Sequence, residues 1–371
     1  MAGLALTSLS LSHFRSHKSV RLAPQPRPLA FYGANGAGKT NILEAVSLLS
    51  PGRGIRRAES DELPRSPEGL GWKIRAEAES RGTSHEIETW AEPGQSRSVR
   101  IDDKAASQTA LGEIMRIVWL VPSMDRLWLE GAEGRRRFLD RATLSFFPDH
   151  AEATIGYEKA MRQRNRLLKD KVNNDSWYRA LETRMAEAGT TIVANRMACL
   201  DRLSDAQEGA KTSFPAAELT LLSPDEGELP DREEALAAAL ADNRRRDMAA
   251  GRTLVGPHRS DLGAVYVSKA APARVCSTGE QKALLISLVL ANARALASDF
   301  GAPPIILLDE VAAHLDVDRR AALYDEICAL GAQAWMTGTD ASLFEALGAR
   351  ATFYEVRENA SGSVVDERPV P

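Results

Sequence analysis

The sequence has little cysteine, no long apolar run and no excess of positive charge. Its three cysteines, Cys199, Cys276 and Cys328, are odd in number and form no CxxC pair, which argues against a disulfide framework and a zinc site. No uninterrupted apolar run approaches the roughly 20 residues needed to span a bilayer, and the N-terminus lacks the regions of a signal peptide. We therefore expect a cytoplasmic protein with no membrane partner.

The net charge offers no general attraction to nucleic acid. It is −4 over 371 residues, so any nucleic-acid site has to be a local basic patch. Each candidate patch could contact phosphates, or it could be a solvated helix face. The candidates are Arg53, Arg56 and Arg57, then Arg135, Arg136 and Arg137, and finally a predicted helix that carries Arg162, Arg164, Arg166, Lys169 and Lys171.

A complete GxxxxGK[ST] pattern occupies residues 33–40. Its glycines let backbone N–H groups surround phosphate, Lys39 reaches the β- and γ-phosphates, and Thr40 gives a hydroxyl to Mg²⁺. An apolar run at residues 28–32 predicts a strand before the motif, and residues 41–49 have helical spacing, which is the context that a phosphate loop requires. ATP and Mg²⁺ are the expected ligands. The predicted nucleotide contacts are Gly33, Ala34, Asn35, Gly36, Ala37, Gly38, Lys39, Thr40 and Asn41.

Two acids, Asp309 and Glu310, end a second apolar run at residues 304–308. The run has no polar alternation, which is typical of a strand buried on both faces of a parallel sheet, and ligands collect at the carboxyl ends of such strands. Asp309 is predicted to hold Mg²⁺. Glu310 is predicted to orient or deprotonate the attacking water, as a catalytic residue beside Lys39. The alternative is a core strand followed by two solvated acids.

A third motif, residues 277–282, precedes a strongly helical stretch at residues 283–294. It resembles the signature of ABC-type ATPases. The resemblance implies that Ser277 and Gly279 bind the γ-phosphate held by the opposite subunit, because a helix start offers free N–H groups and the positive end of the dipole. The working unit would then be a dimer, with residues 312–316 at its seam. The alternative is that Ser277 only caps its helix, with Glu280 completing a capping box.

Further segments resemble the RecF family of bacterial recombination-mediator ATPases. They are residues 52–57, 134–140, 157–168 and 256–262, which include Arg-Arg-Phe-Leu-Asp and Gly-Pro-His-Arg. The resemblance runs from about residue 4 to residue 340 and implies an ATP-dependent homodimer that binds duplex DNA and gap junctions. It also implies action with RecR in gap repair, replication restart and the SOS response, where RecA displaces single-strand-binding protein. Weak, DNA-stimulated ATP hydrolysis would release the DNA.

The sequence departs from related patterns at several positions. Ser260 stands where the RecF family usually has a second acid, and for His258 we expect a structural role rather than metal ligation. Transporter-type ATPases carry a Mg²⁺-sensing glutamine in the region of residues 118–125 and a histidine after a late strand, and neither is present here. A threonine, Thr337 or Thr339, could donate a hydrogen bond to the γ-phosphate instead.

The predicted fold class is α/β, an ABC/SMC-like P-loop ATPase lobe with an inserted, mainly helical lobe. Residues 1–135 are assigned to the first half of the ATPase lobe and residues 251–371 to the second half, with a loose tail after Glu358. Residues 136–250 form the inserted lobe, broken at residues 223–230. The alternatives are another ABC-superfamily ATPase, SMC-like or transport-type, and a scaffold with an idle ATP site.

Overall fold

The structure is a computed structural model that describes residues 3–66, 68–223, 230–360 and 362–370, without the side chain of His314. It separates into two compact units. The first unit comprises Met1–Asp125, Ala206–Pro215 and Ser277–Pro371, and the second comprises Arg126–Asp205 and Ala216–Cys276. Residues 224–229, most of the predicted break in the helical lobe, lie outside the described ranges.

The regular elements follow one another along the chain in three groups. The first group is β1 (Leu4–Phe14), β2 (His17–Leu22), β3 (Leu29–Tyr32), α1 (Lys39–Ser47), β4 (Trp72–Ser80), β5 (Thr83–Ala91), β6 (Ser98–Ile101), β7 (Lys104–Ala106), α2 (Leu111–Ile114) and β8 (Ile117–Leu120). The second group is α3 (Ala132–Phe146), α4 (His150–Lys169), α5 (Asp175–Gln207), β9 (Ala217–Leu222), α6 (Glu233–Asp242), α7 (Arg244–Ala250), β10 (Asp261–Tyr266) and β11 (Ala271–Pro272). The third group is α8 (Thr278–Asp299), β12 (Ile305–Leu308), α9 (Val317–Leu330), β13 (Ala334–Gly338), β14 (Thr352–Asn359) and β15 (Gly362–Arg368).

The first unit is built on a six-stranded sheet in the order β15-β14-β3-β13-β12-β8. All neighbours from β14 to β8 are parallel, and all four residues of β12 are buried, as predicted for a strand covered on both faces. Phe31 of β3 stacks on Trp335 of β13 and on Tyr354 of β14, with ring centroids 5.5 Å and 5.0 Å away. The sheet therefore sets the carboxyl ends of β3, β13 and β12 side by side.

A second, antiparallel sheet in the first unit has the order β2-β1-β4-β5-β6-β7. Burial alternates along β4, so that one face joins the apolar core that contains α1 and the other is exposed. Arg97, which is buried, donates hydrogen bonds to Thr89 Oγ1 at 2.8 Å and to the carbonyl of Gly52 at 2.6 Å. Burial lowers the pKa of Arg97 to about 10. This side chain ties the antiparallel sheet to the turn that follows α1.

The second unit contains α3 to α7 and a three-stranded sheet in the order β11-β10-β9. Its apolar core centres on Tyr157, Met185 and Leu236. Residues 251–276, which the sequence analysis assigned to the ATPase lobe, lie in this unit because β10 pairs with β9 on one side and β11 on the other. The predicted boundaries at residues 135 and 250 therefore differ from the observed division. Strand β9 was not predicted, because its partner β10 lies some forty residues along the chain.

The C-terminal residues form a strand, so the predicted loose tail is wrong. Strand β15 pairs with β14 over the register Phe353↔Arg368 to Asn359↔Gly362. Arg368 also bridges to Glu355 across the two strands at 2.8 Å. The polar composition that suggested a loose tail is that of a solvated edge strand. Within the described residues, no helix is long and apolar enough to cross a membrane.

Candidate nucleotide site

The phosphate loop lies between β3 and α1, as the sequence predicted. Helix α1 begins at Lys39, its first turn has no acidic residue, and its N-cap Gly38 offers no side-chain hydrogen bond. The N–H groups at this helix start are thus left to an anion, which the positive end of the dipole also favours. Gly38 has φ 104°, and a Cβ on Gly33 would lie 2.1 Å from the carbonyl oxygen of Val356. Both positions require glycine.

The side chain of Lys39 folds back over the phosphate loop. Its Nζ donates hydrogen bonds to the carbonyl oxygens of Gly33 at 2.6 Å and Ala34 at 2.8 Å. Burial lowers the pKa of Lys39, and the nearby carboxylates of Glu310 and Asp309 oppose that shift. The lysine charge therefore lies between the loop and the acid pair, where the sequence placed the β- and γ-phosphates.

The acid pair meets the phosphate loop at the carboxyl end of the parallel sheet. Thr40 Oγ1 donates to Asp309 Oδ1 at 2.8 Å, although 269 residues separate them. Thr337 Oγ1, from the strand between them in the sheet, donates to the same carboxylate oxygen at 2.7 Å and accepts from the backbone N–H of Glu310 at 2.9 Å. Thr337 is buried and hydrogen-bonds to both members of the acid pair, while Thr339 is exposed to solvent. Glu310 has φ 54° in the left-handed region, a strained conformation for a non-glycine residue.

The oxygen atoms here suit Mg²⁺. Thr40 and Asp309 supply two hard oxygen donors, and Mg²⁺ commonly takes one or two protein ligands and fills its other positions with water and substrate phosphate. In the part of the chain that the structure describes, no group of three or more His, Cys, Asp or Glu could hold a metal ion. The donor set therefore fits an ion that is shared with a nucleotide.

Four residues form a brace behind the phosphate loop. The sequence analysis missed three of them, Ser16, His17 and Ser363, and predicted Asn41 only as a nucleotide contact. His17 Nε2 lies 3.0 Å from the carbonyl oxygen of Gly38, and burial lowers the pKa of His17. Ser16 Oγ accepts from Asn41 Nδ2 at 2.7 Å and from Ser363 Oγ at 2.7 Å. Ser363 comes from β15, so the C-terminal strand contacts the loop. No short-range pattern in the sequence indicates these contacts, because Ser16 and Ser363 lie 347 residues apart in the chain.

The signature residues lie at the start of α8 and are exposed. Ser277, Thr278 and Gly279 are all open to solvent at the N-terminus of a 22-residue helix. The capping box is formed: the backbone N–H of Ser277 donates to Glu280 Oε2 at 2.9 Å, and Ser277 Oγ accepts from the N–H of Glu280 at 3.4 Å. The second of these bonds is long, so it restrains the hydroxyl weakly. The capping alternative is thus present, and the exposed hydroxyl and helix start are both accessible to a second molecule.

The region where transporter ATPases carry a glutamine has an ion pair instead. Lys282, which ends the signature and is buried, bridges to Asp125 at 3.1 Å. Asp125 follows β8, the strand next to β12, and the N–H of Asp309 donates to the carbonyl of Leu120 at 3.0 Å. The signature helix is in this way connected to the strand that carries the acid pair.

The first two basic clusters are largely neutralised by acidic partners. Arg56 bridges to the buried Glu44 at 2.9 Å, and Arg53 bridges to Glu59 at 2.5 Å. In the second cluster, Arg135 bridges to Asp261 at 2.8 Å. Arg137 pairs with Glu133, and Arg136 donates to the carbonyl of Ser260.

In the third cluster, the interpretation of Arg164 as a phosphate contact is wrong. Arg164 is fully buried, 3.1 Å from Glu182 and 2.6 Å from Asp247. It also donates to the carbonyl of Leu240 at 2.9 Å. The Arg164 side chain therefore bonds to two carboxylates and a carbonyl inside the unit, where DNA cannot reach it.

The Gly-Pro-His-Arg segment forms a turn inside the second unit. The ring of His258 contacts Tyr157 Oη through Nδ1 at 2.8 Å and the carbonyl of Thr253 through Nε2 at 3.1 Å. Burial lowers the pKa of His258 to about 4. A Cβ on Gly256 would lie 2.3 Å from the Tyr157 hydroxyl, so the turn requires glycine there. These contacts agree with the structural role expected for His258.

Known proteins are similar in sequence to this chain over nearly its whole length. A family model described as RecF/RecN/SMC N terminal domain matches residues 5–362. A protein of Mesorhizobium japonicum named DNA replication and repair protein RecF is 45% identical over 377 residues, which cover 97% of this chain and 98% of that protein. The chain belongs to the RecF family. A RecF protein of Caulobacter vibrioides is 44% identical over 387 residues, covering 99% of this chain and 100% of its own length.

Solved structures share the fold of this RecF-family chain. One described as the recombination mediator protein RecF-ATP in the RecFOR pathway has a TM-score of 0.83 at 24% identity and covers 99% of both chains. The Smc head domain of Pyrococcus furiosus, bound to the C-terminal domain of ScpA, has a TM-score of 0.55 at 16% identity and covers 99% of this chain and 96% of its own. The predicted ABC/SMC-like α/β fold is confirmed.

Proposed function

We propose that this chain is an ATP-switched, DNA-binding homodimer of recombinational repair. ATP joins two copies, the dimer grips duplex DNA or a gap junction, and slow, DNA-stimulated hydrolysis releases it. As a cytoplasmic RecF-family protein it acts with RecR at single-strand gaps, where it helps to load RecA during replication restart and the SOS response. One observation carries the proposal: Thr40 and Asp309, from motifs at opposite ends of the chain, meet at 2.8 Å.

The geometry of the loop supports the nucleotide-binding roles. The N–H groups at the start of α1 surround the phosphates, and Lys39 neutralises charge on the β- and γ-phosphates. Thr40 and Asp309 would hold Mg²⁺, which neutralises phosphate charge when it is bound. The remaining loop residues, Gly33, Ala34, Asn35, Gly36, Ala37, Gly38 and Asn41, shape the cradle.

Hydrolysis is assigned to Glu310. Its carboxylate takes a proton from water as the water oxygen bonds to the γ-phosphorus and the bond to the bridging oxygen of ADP breaks. The backbone at φ 54° and the hydrogen bond from its N–H to Thr337 aim the side chain. The reaction needs the γ-phosphate to be held from its other side. That contact is assigned to Ser277 and Gly279 of a second copy.

Two exposed valines, one just before the signature and one after the acid pair, support the proposed dimer. Val317, directly after the N-cap Asp316 of α9, is 68% exposed, and Val275, two residues before Ser277, is 67% exposed. Single exposed valines are ordinary, but these two adjoin the segments that a RecF-family dimer would bring together around ATP. An apolar contact there would add to the shared phosphate contact.

Gel filtration with light scattering, run beside DNA binding to duplex and gapped DNA, tests the proposal. Each measurement is made with ATP and Mg²⁺, with ADP and Mg²⁺, and without nucleotide. We expect a dimer with raised DNA affinity in ATP and a monomer with low affinity in the other two conditions. A protein that is monomeric in all three conditions would contradict the switch, and one that binds ATP but no DNA would contradict the repair assignment.

A further inference from the structure

We infer that one end of the second unit, formed by the end of α4, the start of α5 and helix α7, is a DNA surface that recognises the border between duplex and unpaired bases. The inference rests on the proposed function, since it names the DNA contact of that same protein. Its cations are Lys169, Lys171, Arg245, Arg246 and Arg252. Its aromatic residue is Trp177.

Buried ion pairs bring these elements together. Arg164 of α4 binds Asp247 of α7 at 2.6 Å, and Asn165 Oδ1 accepts from the N–H of Thr253 at 2.8 Å. The side chain of Lys169 lies beside Gly251, where a Cβ would be 3.6 Å from Lys169 Cγ. The end of α4 therefore runs along α7 and the turn after it.

Helix α7 also reaches the first turns of α5. Arg244 bridges to Glu182 at 2.5 Å, pairs with Asp175, and lies over the ring of Tyr178 at 5.6 Å. Lys171 lies in the short connection between α4 and α5. The cations of α4, its connection and α7 are thus carried on one packed end of the unit.

These five cations differ from most arginines of the first two clusters because, among the described residues, they have no acidic partner. All five are exposed, and among the described residues none of them has a carboxylate within the 4.0 Å of an ion pair. By contrast, the exposed arginines 137, 162 and 179 each pair with an acid one helical turn away. Unpaired cations keep their full charge for phosphate, whose neutralisation releases counterions.

Trp177 adds a kind of contact that binding to phosphates alone would not require. Its side chain is 56% exposed in the first turn of α5, and its backbone N–H donates to Asn174 Oδ1 at 3.3 Å, which caps that turn. A large, solvent-exposed aromatic face is what unpaired bases stack on. Trp177 offers one in the same first turn of α5 as Asp175, which pairs with Arg244 of α7. Paired bases inside a duplex do not offer their faces. The combination therefore fits a site where a duplex gives way to a single strand.

The salt dependence of DNA binding tests the basic part of the surface. In the full-length protein with ATP and Mg²⁺, the variant K169Q/R245Q/R246Q is compared with the matched control R137Q/R162Q/R179Q, which removes the same charge from paired positions. We expect the first variant to weaken duplex binding at all sequences and to reduce the slope of log K against log salt by about 0.9 per lost phosphate contact. The control keeps the wild-type slope.

A second comparison tests the aromatic part. Trp177→Ala should weaken binding to gapped DNA by roughly 5- to 150-fold while leaving blunt duplex binding unchanged, and Trp177→Phe should restore most of it. A wild-type salt slope in K169Q/R245Q/R246Q would show that these cations do not contact DNA phosphates and would overturn the inference. Equal losses on gapped and blunt DNA would overturn the border assignment. If wild-type protein binds no DNA, the proposed function itself fails.

Discussion

The hydroxyl of Thr337 donates a hydrogen bond to Asp309 at 2.7 Å and accepts one from the backbone N–H of Glu310 at 2.9 Å. The threonine thus holds both acids from the neighbouring strand. The sequence suggested a γ-phosphate contact for Thr337 or Thr339. For Thr337, the hydrogen bonds of its hydroxyl favour a role in placing the acids that serve Mg²⁺ and water.

Thr337→Val keeps the shape of the side chain and removes both hydrogen bonds. We expect a loss of unfolding free energy of about 1–3 kcal/mol, since the partly buried N–H of Glu310 loses its acceptor. ATP hydrolysis, measured by phosphate release, should fall more than ATP affinity. Thr337→Ser is the control and should restore hydrolysis. Wild-type hydrolysis in the valine variant would show that the acids are placed without Thr337.

Glu310→Gln separates binding from hydrolysis. The amide keeps the size of the side chain but cannot accept the proton of water, so phosphate release should fall by roughly 10²- to 10⁴-fold. The ATP-bound dimer should then persist on DNA in a dissociation assay. Lys39→Ala should lose dimer and DNA affinity together, because it removes charge from the phosphates. If both variants behave alike, hydrolysis does not control DNA release.

Ser277→Arg places bulk and charge at the exposed start of α8 and leaves Lys39 untouched. We expect ATP binding by the isolated chain to be retained and the ATP-dependent dimer to disappear in light scattering. Ser342→Arg is a control elsewhere on the first unit. An unchanged dimer in the Ser277 variant would contradict a phosphate site shared between two copies.

Ser363→Ala tests the link between the C-terminal strand and the phosphate loop. Loss of its hydroxyl removes the 2.7 Å contact to Ser16, which also holds Asn41. A nucleotide-affinity loss of a few-fold is expected, since one such hydrogen bond contributes about 0.5–1.5 kcal/mol. The exposed Ser12→Ala is the control. Equal affinities in calorimetric titration with ATP would confine Ser363 to a packing role.

Arg164→Ala should destabilise the protein by about 3–5 kcal/mol, because it leaves Glu182 and Asp247 as buried charges with one partner fewer. Arg162→Ala, two residues earlier and 69% exposed, should change the unfolding free energy by no more than about 1 kcal/mol. Denaturant unfolding of the two variants makes the comparison. Equal midpoints would mean that the ion pairs of Arg164 contribute little.

The parts of the site that depend on residues close together in the chain could be predicted without the structure. The loop at residues 33–40, the strand before Asp309 and the helix after Ser277 are set by backbone freedom at glycine, apolar spacing and helix starts, all of which act over a few residues. Each was found where it was predicted. The family resemblance placed them in one ATPase fold.

What these parts contact depends on strand order and burial in the folded chain. Strand order put Thr337 between the phosphate loop and the acids, and the pairing of β15 with β14 brought Ser363 to Ser16, 347 residues away in the chain. Burial makes Arg164 an ion-pair centre rather than a DNA contact, whereas the exposed Lys169 on the same helix has no acidic partner among the described residues. Pairing and burial depend on residues far apart in the chain, and short-range patterns do not carry that information.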